Sequence, residues 1–541
     1  MPIPMPPPPP PYVAPDLRPI VARAGGSLTF LKDRRTGLIV ERYLDHGLWI
    51  AAEGAPLELR FHRRADGSVW GEQATYADGD RQGGIARASA GAHVQVLSDR
   101  MVGGMGEASQ LVRYELLDST GSAVRTWSSP TCSATGAARL DRTDSPAEPT
   151  FPAQWSDCGE GDGGAYVLGR LVGLDRGWAM PASSSISGLR RVAVGQYQLR
   201  MTIDPLGAIA DADRTNNVAT IPLTVRTRVV SFEDDGLPPG AMPVPGGPTT
   251  SARDHAGHAA PEPEWYQTRL RVLEAAVEAR RARREAGPAP RAGEPVPAPP
   301  TGVELPDLRS APSYGISLQS VSGRGGRREL LRFGALTWNA GPGHLELESF
   351  RERGNTLAAY QVFTSDGARS TRQARGTMVW HAAPGHDHFH FSAFAGYTLT
   401  KLDGSLVRQG GKHSWCIVDT DQVDSTRPGA GATRRSFDSA SDCGSMPGSL
   451  WARMSLSVGS GDFYSGGIAG QAFDVTSLPN GSYRIRIEAN PTGVIAEADS
   501  SNNVSTRIVR LGGRPGNRTV TARPIPTVDE RNFDDEFCDD C

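Results

Sequence analysis

Four histidines lie within ten residues of this chain, in Trp380-His381-Ala-Ala-Pro-Gly-His386-Asp387-His388-Phe389-His390, and a lysine and a cysteine follow in Gly410-Gly411-Lys412-His413-Ser-Trp-Cys416. On an extended strand side chains repeat every two residues, so His386, His388 and His390 share one face while Asp387 and Phe389 take the other. Two histidines two residues apart readily chelate one ion. The outer pair is separated by about 13 Å of straight strand at about 3.3 Å per residue, so the strand must curl or bulge if all three bind. Three neutral imidazoles suit copper, zinc, nickel or non-haem iron, and ligand type alone does not choose among them. The bland alternative is a solvated or partner-satisfied histidine cluster.

The elements that must position these residues are written twice. Residues 193–225 read AVGQYQLRMTIDPLGAIADADRTNNVATIPLTV and residues 480–510 read NGSYRIRIEANPTGVIAEADSSNNVSTRIVR, the same strand, turn and strand. Upstream, Asp16-Leu17-Arg18 answers Asp307-Leu308-Arg309, the stretch Leu57 to Phe61 answers Glu329 to Phe333, and the strand from Tyr114 answers that from Tyr397. Alternating segments such as YQLRMTI and YRIRIEA, with turn signals DSTG, KLDG and LPNG between runs, predict short antiparallel strands. The expected fold is all-β, two tandem β-sandwich-like domains over 14–226 and 305–511. A Pro/Gly-rich linker, 227–304, joins them and carries one helix near 262–286, where Leu270, Leu273 and Val277 recur at helical spacing and Gly287 stops the run. A Pro-rich arm, 1–13, precedes the first domain, and a polar, acidic tail, 512–541, is expected to be disordered.

The two copies differ where chemistry would sit. Aligned on Tyr114 and Tyr397, the three alternating histidines fall opposite Gly103, Met105 and Glu107, and Lys412 opposite Ser128-Ser129. Aligned on Tyr197 and Tyr483, Tyr464 falls opposite Trp178. The cysteines repeat instead: Cys132 and Cys158 in the first copy, Cys416 and Cys443 in the second. One disulfide per copy is the economical reading, and it implies an oxidising compartment, secreted or at the cell surface. Cys538 and Cys541 have Cys-x-x-Cys spacing but no second pair to complete a zinc site.

Composition narrows the classes. Gly (63) and Pro (42) make nearly a fifth of the 541 residues, and the Pro-rich stretches cannot pack a core. A formal net charge of -3 lacks the basic field a nucleic-acid partner requires. No run of eighteen apolar residues occurs, so no transmembrane span is expected. The opening MPIPMPPPPPPY has neither a basic n-region nor an apolar h-region, so no signal peptide is visible.

Residues 380–420 resemble the copper-binding segment of the lysyl oxidase family, in which a Trp-His pair precedes His-x-His-x-His and a lysine sits four residues before a Cys. The likeness continues through Leu331 to Phe333, Asp462-Phe463-Tyr464, Gln471, Asp474 and Pro479-Asn480-Gly481-Ser482-Tyr483 to Asn503, over roughly 305–511. The resemblance implies copper on His386, His388 and His390, and a self-derived lysyl tyrosylquinone from Lys412 and Tyr464. It implies oxidation by dioxygen of a primary amine, including the lysines of a protein substrate, to aldehyde, ammonia and hydrogen peroxide. His381 and Asp387 are base candidates on proximity. Where the animal enzymes carry a His before the quinone lysine, this chain has Gly411, and His413 follows instead.

Both copies also keep a Pro-Asp-Leu start and an acidic, Asn-paired end: Asp16, Leu17, Asp211, Asp213, Asn216 and Asn217 in the first, and Asp307, Leu308, Glu497, Asp499, Asn502 and Asn503 in the second. Carboxylates, amide oxygens and a backbone carbonyl make the hard oxygen shell that calcium prefers, and the resemblance points the same way. The alternative is a turn in which the acids bond their own backbone. Two rival functions remain at this level: a non-enzymatic adhesion protein of two Ig-like modules with a structural metal, and a zinc or iron hydrolase or oxygenase.

Overall fold

The computed structural model describes residues 5, 7–9, 11–34, 39–77, 92–131, 137–140, 145–146, 151, 165–182, 189, 192–230, 296–323, 326–351, 356–364, 370–381, 388–430, 443, 449–468 and 470–530. Among the described residues the regular structure is β-strand, apart from one short 3-10 turn at Arg214–Asn216. None of their helices is long and apolar enough to cross a membrane. The expected linker helix, Cys132, Cys158, Cys538 and Cys541 lie outside the described residues.

Three sheets in residues 16–230 recur in residues 308–522. In the first, strand Leu48–Glu53 is flanked by Asp16–Val21 and Trp178–Pro181, as the end of Gly326–Asn339 is flanked by Leu308–Ser310 and Ser460–Tyr464. In the second, Leu57–Arg63 lies between Val69–Thr75 and Gly169–Leu174, as Leu345–Arg351 lies between Thr356–Thr364 and Trp451–Leu456. In the third, Glu107–Leu117, Gly195–Ile203 and Val218–Val230 run side by side, as do Ala395–Lys401, Gly481–Ala489 and Val504–Arg514. Each set closes over its own apolar core, centred on Leu59, Tyr114 and Met201 in one and on Leu347, Tyr397 and Ile487 in the other.

The repeat extends to buried polar details. The Gln73 amide donates to the Ala210 carbonyl and accepts from its N–H, at 2.9 and 2.6 Å; Gln361 does the same to Ala496, at 2.9 Å each. Tyr197 and Tyr483 each donate a hydroxyl to the carbonyl four residues upstream, Ala193 and Pro479, the tyrosine-corner device of β-sandwiches. Asp204 and Asn490 both sit at positive φ, 43° and 45°, where short polar side chains are tolerated because they bond the local backbone. Asp204 accepts from Ala208 and Ile209, and Asn490 from Ile495.

The strand registers correct two alignments. Leu57–Arg63 occupies the place of Leu345–Arg351, not of Glu329 to Phe333, which belongs to the preceding long strand. With Leu17 and Leu308 equivalent, Met180 opposite Ile50 takes the place of Asp462 opposite Thr337, and Ala182, which donates to the Leu48 carbonyl, takes that of Tyr464 rather than Trp178. The connection from Tyr464 to Gly481 is four residues longer than that from Ala182 to Gly195, which displaces an alignment anchored on Tyr197 and Tyr483.

The expected boundaries also shift. Residues 512–530 are ordered, not disordered. Asn517–Ala522 pairs with Val504–Arg514 around a turn at Pro515-Gly516, where Gly513 and Gly516 take φ of 75° and 85°. Beyond it, Glu530 meets the buried Arg507 at 2.9 Å. The end of the linker is anchored as well, the buried Arg375 donating to the Pro297 carbonyl and Gln373 to that of Ala298. In the Pro-rich arm, Met5 donates to Gly207 and Val13 bridges to Tyr76.

Candidate functional site

The histidine strand forms a hairpin with the strand before it. Ser370–His381 pairs antiparallel with His388–Phe391, setting His381 opposite His388 and Trp380 opposite Phe389. Phe389 turns into the core, edge-on to Trp380 with centroids 5.2 Å apart. His388 and His390 share the other face, their Nε2 atoms 2.9 Å apart. The His381 ring stacks on His390 at 5.1 Å, and the Ser414 hydroxyl lies 3.4 Å from His390 Nδ1. His381 therefore belongs to the imidazole cluster. His386 and Asp387 lie outside the described residues, and among the described residues alone no three-ligand metal group is complete. Two imidazole nitrogens converging on one point, one of them on a ring 1% exposed, are a donor set that fits copper among the late transition metals.

The lysine and the tyrosine meet. Strand Ser460–Tyr464 places Asp462 and Tyr464 on one side by its period of two. Lys412 and Tyr464 are each 7% exposed, and the Lys412 ammonium nitrogen stands 4.5 Å from the centroid of the Tyr464 ring. Trp415 lies against the same ring at 4.1 Å. The Tyr464 hydroxyl accepts from the Cys416 N–H at 2.9 Å and faces the Cys416 carbonyl as donor at 3.2 Å. Gly470, at φ 87°, brings backbone close to the Lys412 side chain, where an added Cβ would stand 3.4 Å from that of Lys412.

One disulfide ties the two clusters together. Cys416 is bonded to Cys443, with Cα atoms 5.9 Å apart. The Cys443 carbonyl accepts from the Phe389 N–H at 2.7 Å, between the two histidines, and Phe391 and Trp415 exchange backbone hydrogen bonds at 2.8 and 3.2 Å. The phenol, bonded to the Cys416 backbone, and the histidine strand, bonded to the Cys443 carbonyl, thus hang by hydrogen bonds from the two ends of one disulfide. This pairing matches the sequence expectation.

Electrostatics mark the same place. Burial pushes the Lys412 amine down to about 8, against the pull of Asp462. Burial, reinforced by Asp421, holds the Asp462 carboxyl well above the usual carboxylate range. Burial and then Asp462 raise the Tyr464 phenol well above its ordinary value. Among the described residues the Gln471 amide atoms, the Tyr397 hydroxyl, the Trp415 indole N–H and the Asp462 oxygens meet no partner at full hydrogen-bond geometry, although the Val418 N–H lies near enough to Asp462 to favour its charged form. Tyr397 lies near enough to Gln471 and Trp415 to feel both dipoles. Buried polar atoms are nearly always satisfied, so a knot of them around one lysine and one tyrosine marks a place that takes a ligand, water or ion. In the sequence Asp462 stands in the family-like run Asp462-Phe463-Tyr464 but carries no assigned role, although its position two residues before Tyr464 on a strand is the available signal.

The calcium candidates also converge. The Asp211 carboxylate accepts from the Leu17 N–H and the Asn217 amide, at 3.2 and 2.8 Å; Glu497 accepts from Leu308 and Asn503 at the same distances. Asp213 and Asp499 cap short turns, accepting from Thr215 and Ser501, so for these two acids the local-turn alternative describes the bonding. The Asp16 carboxylate accepts from Asn216, whereas Asp307 is paired with Arg309. Side-chain oxygens of Asn216 and Asn217, and of Asp307, Asn502 and Asn503, are buried without partners. Unused oxygens beside carboxylates fit a hard cation.

Comparison with known proteins supplies the family. Residues 350–515 match the family model described as Lysyl oxidase. Similar relatives include lysyl oxidase homolog 2 of Gallus gallus, 30% identical over 129 residues, and of Bos taurus, 28% identical over 127 residues, covering 24% and 23% of this chain. Lysyl oxidase homolog 4 of Mus musculus is 32% identical over 118 residues, 22% of this chain. The chain spans about 14% of the length of each of these relatives. The matched range encloses the imidazole cluster, Lys412 and Tyr464, and these matches support the lysyl oxidase family for the C-terminal half of the chain.

Proposed function

We propose that the C-terminal half is a copper-dependent amine oxidase of lysyl oxidase type, converting a primary amine, dioxygen and water into aldehyde, ammonia and hydrogen peroxide. The observation that carries this reading is the Lys412 amine poised 4.5 Å from the Tyr464 ring centroid. Copper, held by His386, His388 and His390, would supply with dioxygen the oxidation of the phenol that lets a lysine amine join its ring. The chain's own residues then have distinct tasks. Cys416 fixes the phenol oxygen with its backbone. Burial keeps part of the Lys412 amine neutral, the only form that is nucleophilic. Asp462, beside the ring and desolvated, is the carboxyl suited to exchange a proton with substrate, a role for which His381 and Asp387 were the sequence candidates. Amines, including lysine side chains of a protein, are the substrate class.

The first half is inferred to be a non-catalytic copy, with Met180 and Ala182 in the places of Asp462 and Tyr464. Of the calcium candidates, Asp16, Leu17, Asp211, Asn216 and Asn217 and their counterparts are inferred to hold the ion, as a staple between the first strand and the last connection, with Asp213 and Asp499 capping the turns beside it. The Cys416–Cys443 bond supports a secreted or cell-surface location. Copper-reconstituted full-length protein is expected to develop quinone absorbance, yield a Lys412–Tyr464 cross-linked peptide and release peroxide with primary amines. Absence of all three sinks the enzyme reading, and copper uptake without them favours a binding protein with a structural metal.

A further inference from the structure

The two halves meet along a seam of hydrogen bonds. Leu168 and Gly169 donate backbone N–H groups to the Val423 carbonyl at 2.8 and 3.3 Å, Ser425 donates back to the Gly169 carbonyl at 3.1 Å, and the Leu171 N–H reaches the Ser425 hydroxyl at 2.8 Å. Gly169 leaves no room for a side chain, since a Cβ there would stand 2.1 Å from an Asp424 carboxylate oxygen. Across the same seam the buried Arg170 donates to the Gln422 side-chain oxygen at 2.7 Å. Strand Asp421–Gln422, which these contacts adjoin, pairs in turn with Ser460–Tyr464. One two-residue strand therefore lies between the first half and the strand that carries Tyr464.

So narrow a seam needs support, because each of its hydrogen bonds replaces one to water and contributes little net. The tail supplies it. Val528 of the tail, Ala165 of the first half, and Tyr314, Trp338 and Val423 of the second share one buried apolar cluster. The Asp529 N–H donates to the Ala165 carbonyl at 2.7 Å. At the turn between Leu57–Arg63 and Val69–Thr75, Gly67 takes a φ of 86° and lies so close to Pro526 that a Cβ would stand 2.5 Å from the Pro526 carbonyl oxygen. The same segment is fastened to the second half. The buried Arg507 donates to both carboxylate oxygens of Glu530, at 2.9 and 3.3 Å, to the Arg523 carbonyl at 2.9 Å and to the Ser313 carbonyl at 2.7 Å.

We propose that residues 525–530 are a clasp that fastens the first half onto the second, making the first half a fixed part of the sheet edge beside Tyr464 rather than a module on a tether. The topology shows how the tail comes to the seam. In the first half Gly26–Asp33 adds to the edge of Val218–Val230. In the second, the strand after Leu308–Ser310 is Tyr314–Gly323, which pairs with Gly326–Asn339 instead, and the edge of Val504–Arg514 is taken by Asn517–Ala522. That added hairpin turns the chain back and delivers residues 525–530 between the halves. The family match ends at residue 515, so the clasp lies outside it.

Amide hydrogen exchange of the full-length protein, read by peptide mass spectrometry, tests the clasp without any reaction at Lys412, so its outcome is independent of the amine oxidase reading. Peptides spanning Leu168–Leu171 and Thr420–Ser425 report the seam, one spanning 525–530 reports the clasp, and one within Gly481–Ala489 reports the core of the second half. Val528→Asp places a charge in the apolar cluster, where it is costly to bury. It is expected to speed exchange at the clasp and at both seam peptides by at least about tenfold, with Gly481–Ala489 at the parental rate, since a local opening need not reach the core. If Val528→Asp does not fold, or also speeds Gly481–Ala489, Val528→Ala is read in its place, with a rise of about threefold to tenfold at the clasp and seam from the lost apolar burial. Seam peptides that keep the parental rate while the clasp exchanges faster overturn the inference, because the seam then stands without the tail. Parental exchange at clasp and seam alike overturns it too.

Discussion

Strands Trp178–Pro181 and Ser460–Tyr464 hold the same place in two sheets of the same build, yet one presents Met180 and Ala182 where the other presents Asp462 and Tyr464. Register carries the comparison one step further. Gln409 pairs with Thr398 as Thr126 pairs with Glu115, so three residues on, Ser129 answers Lys412. Both copies keep the tyrosine corner, the buried glutamine that clamps an alanine, and the carboxylate and asparagine knot. The side chains that build the frame are therefore separable from those that could react. In the second copy an acid, an amine and a phenol are buried with polar atoms left unsatisfied around them. That arrangement costs stability, and in the first copy those positions are apolar or a small hydroxyl.

The sharpest break is at the reacting pair. Tyr464→Phe or Lys412→Arg should reduce quinone absorbance and peroxide release to background, whereas Ala182→Ser in the first copy should change neither. Next in size is the disulfide. Cys443→Ser should cost about 3 kcal/mol in urea unfolding, as expected for a loop of this length, and should slow cross-link formation, because Cys443 also braces the histidine strand; cross-linking at the parental rate would separate the two roles. The twin glutamines test whether the frames are equivalent. Gln73→Ala and Gln361→Ala each orphan a buried N–H and C=O and should each cost about 2–3 kcal/mol, Gln361→Ala the more because it also removes the acceptor of the buried Arg375 Nε; a larger loss at Gln73 would break the parallel. Smallest is calcium. EGTA should lower the melting temperature through loss of about 1–3 kcal/mol of ligand stabilisation, with Asp211→Ala and Glu497→Ala each removing part of the response. An EGTA-insensitive melt would leave the acids as turn formers.

Much of the site was legible because its signals are local. Alternation placed His388 and His390 on one face, the spacing of the cysteines predicted the Cys416–Cys443 bond, and the lysine and tyrosine were found by family order. What escaped was non-local. Arg170 is buried against Gln422, 252 positions away, and nothing in its sequence neighbourhood distinguishes it from a surface arginine. Gln73 and Gln361 read as polar residues in strands, and only the fold shows that each completes a distant backbone. The Leu57 to Phe61 stretch was matched to the wrong strand because short alternating apolar runs recur in every sheet and resemble one another more than they record register. The tail was judged by its acidic end, although Pro515-Gly516 between alternating residues is a hairpin signal.

Three of the 57 basic residues in the chain are lysines: Lys32, Lys401 and Lys412. The first two are exposed and the third is enclosed against Tyr464. On the proposed reading Lys412 enters a cross-link, which leaves Lys32 and Lys401 as the lysine amines of this sequence, and arginine carries nearly all of its positive charge. Guanidinium offers no primary amine to oxidise. A catalyst that turns lysines into aldehydes, and so into points of covalent coupling, would thus be a poor substrate for its own neighbours, able to work at high local density without tanning itself into the product.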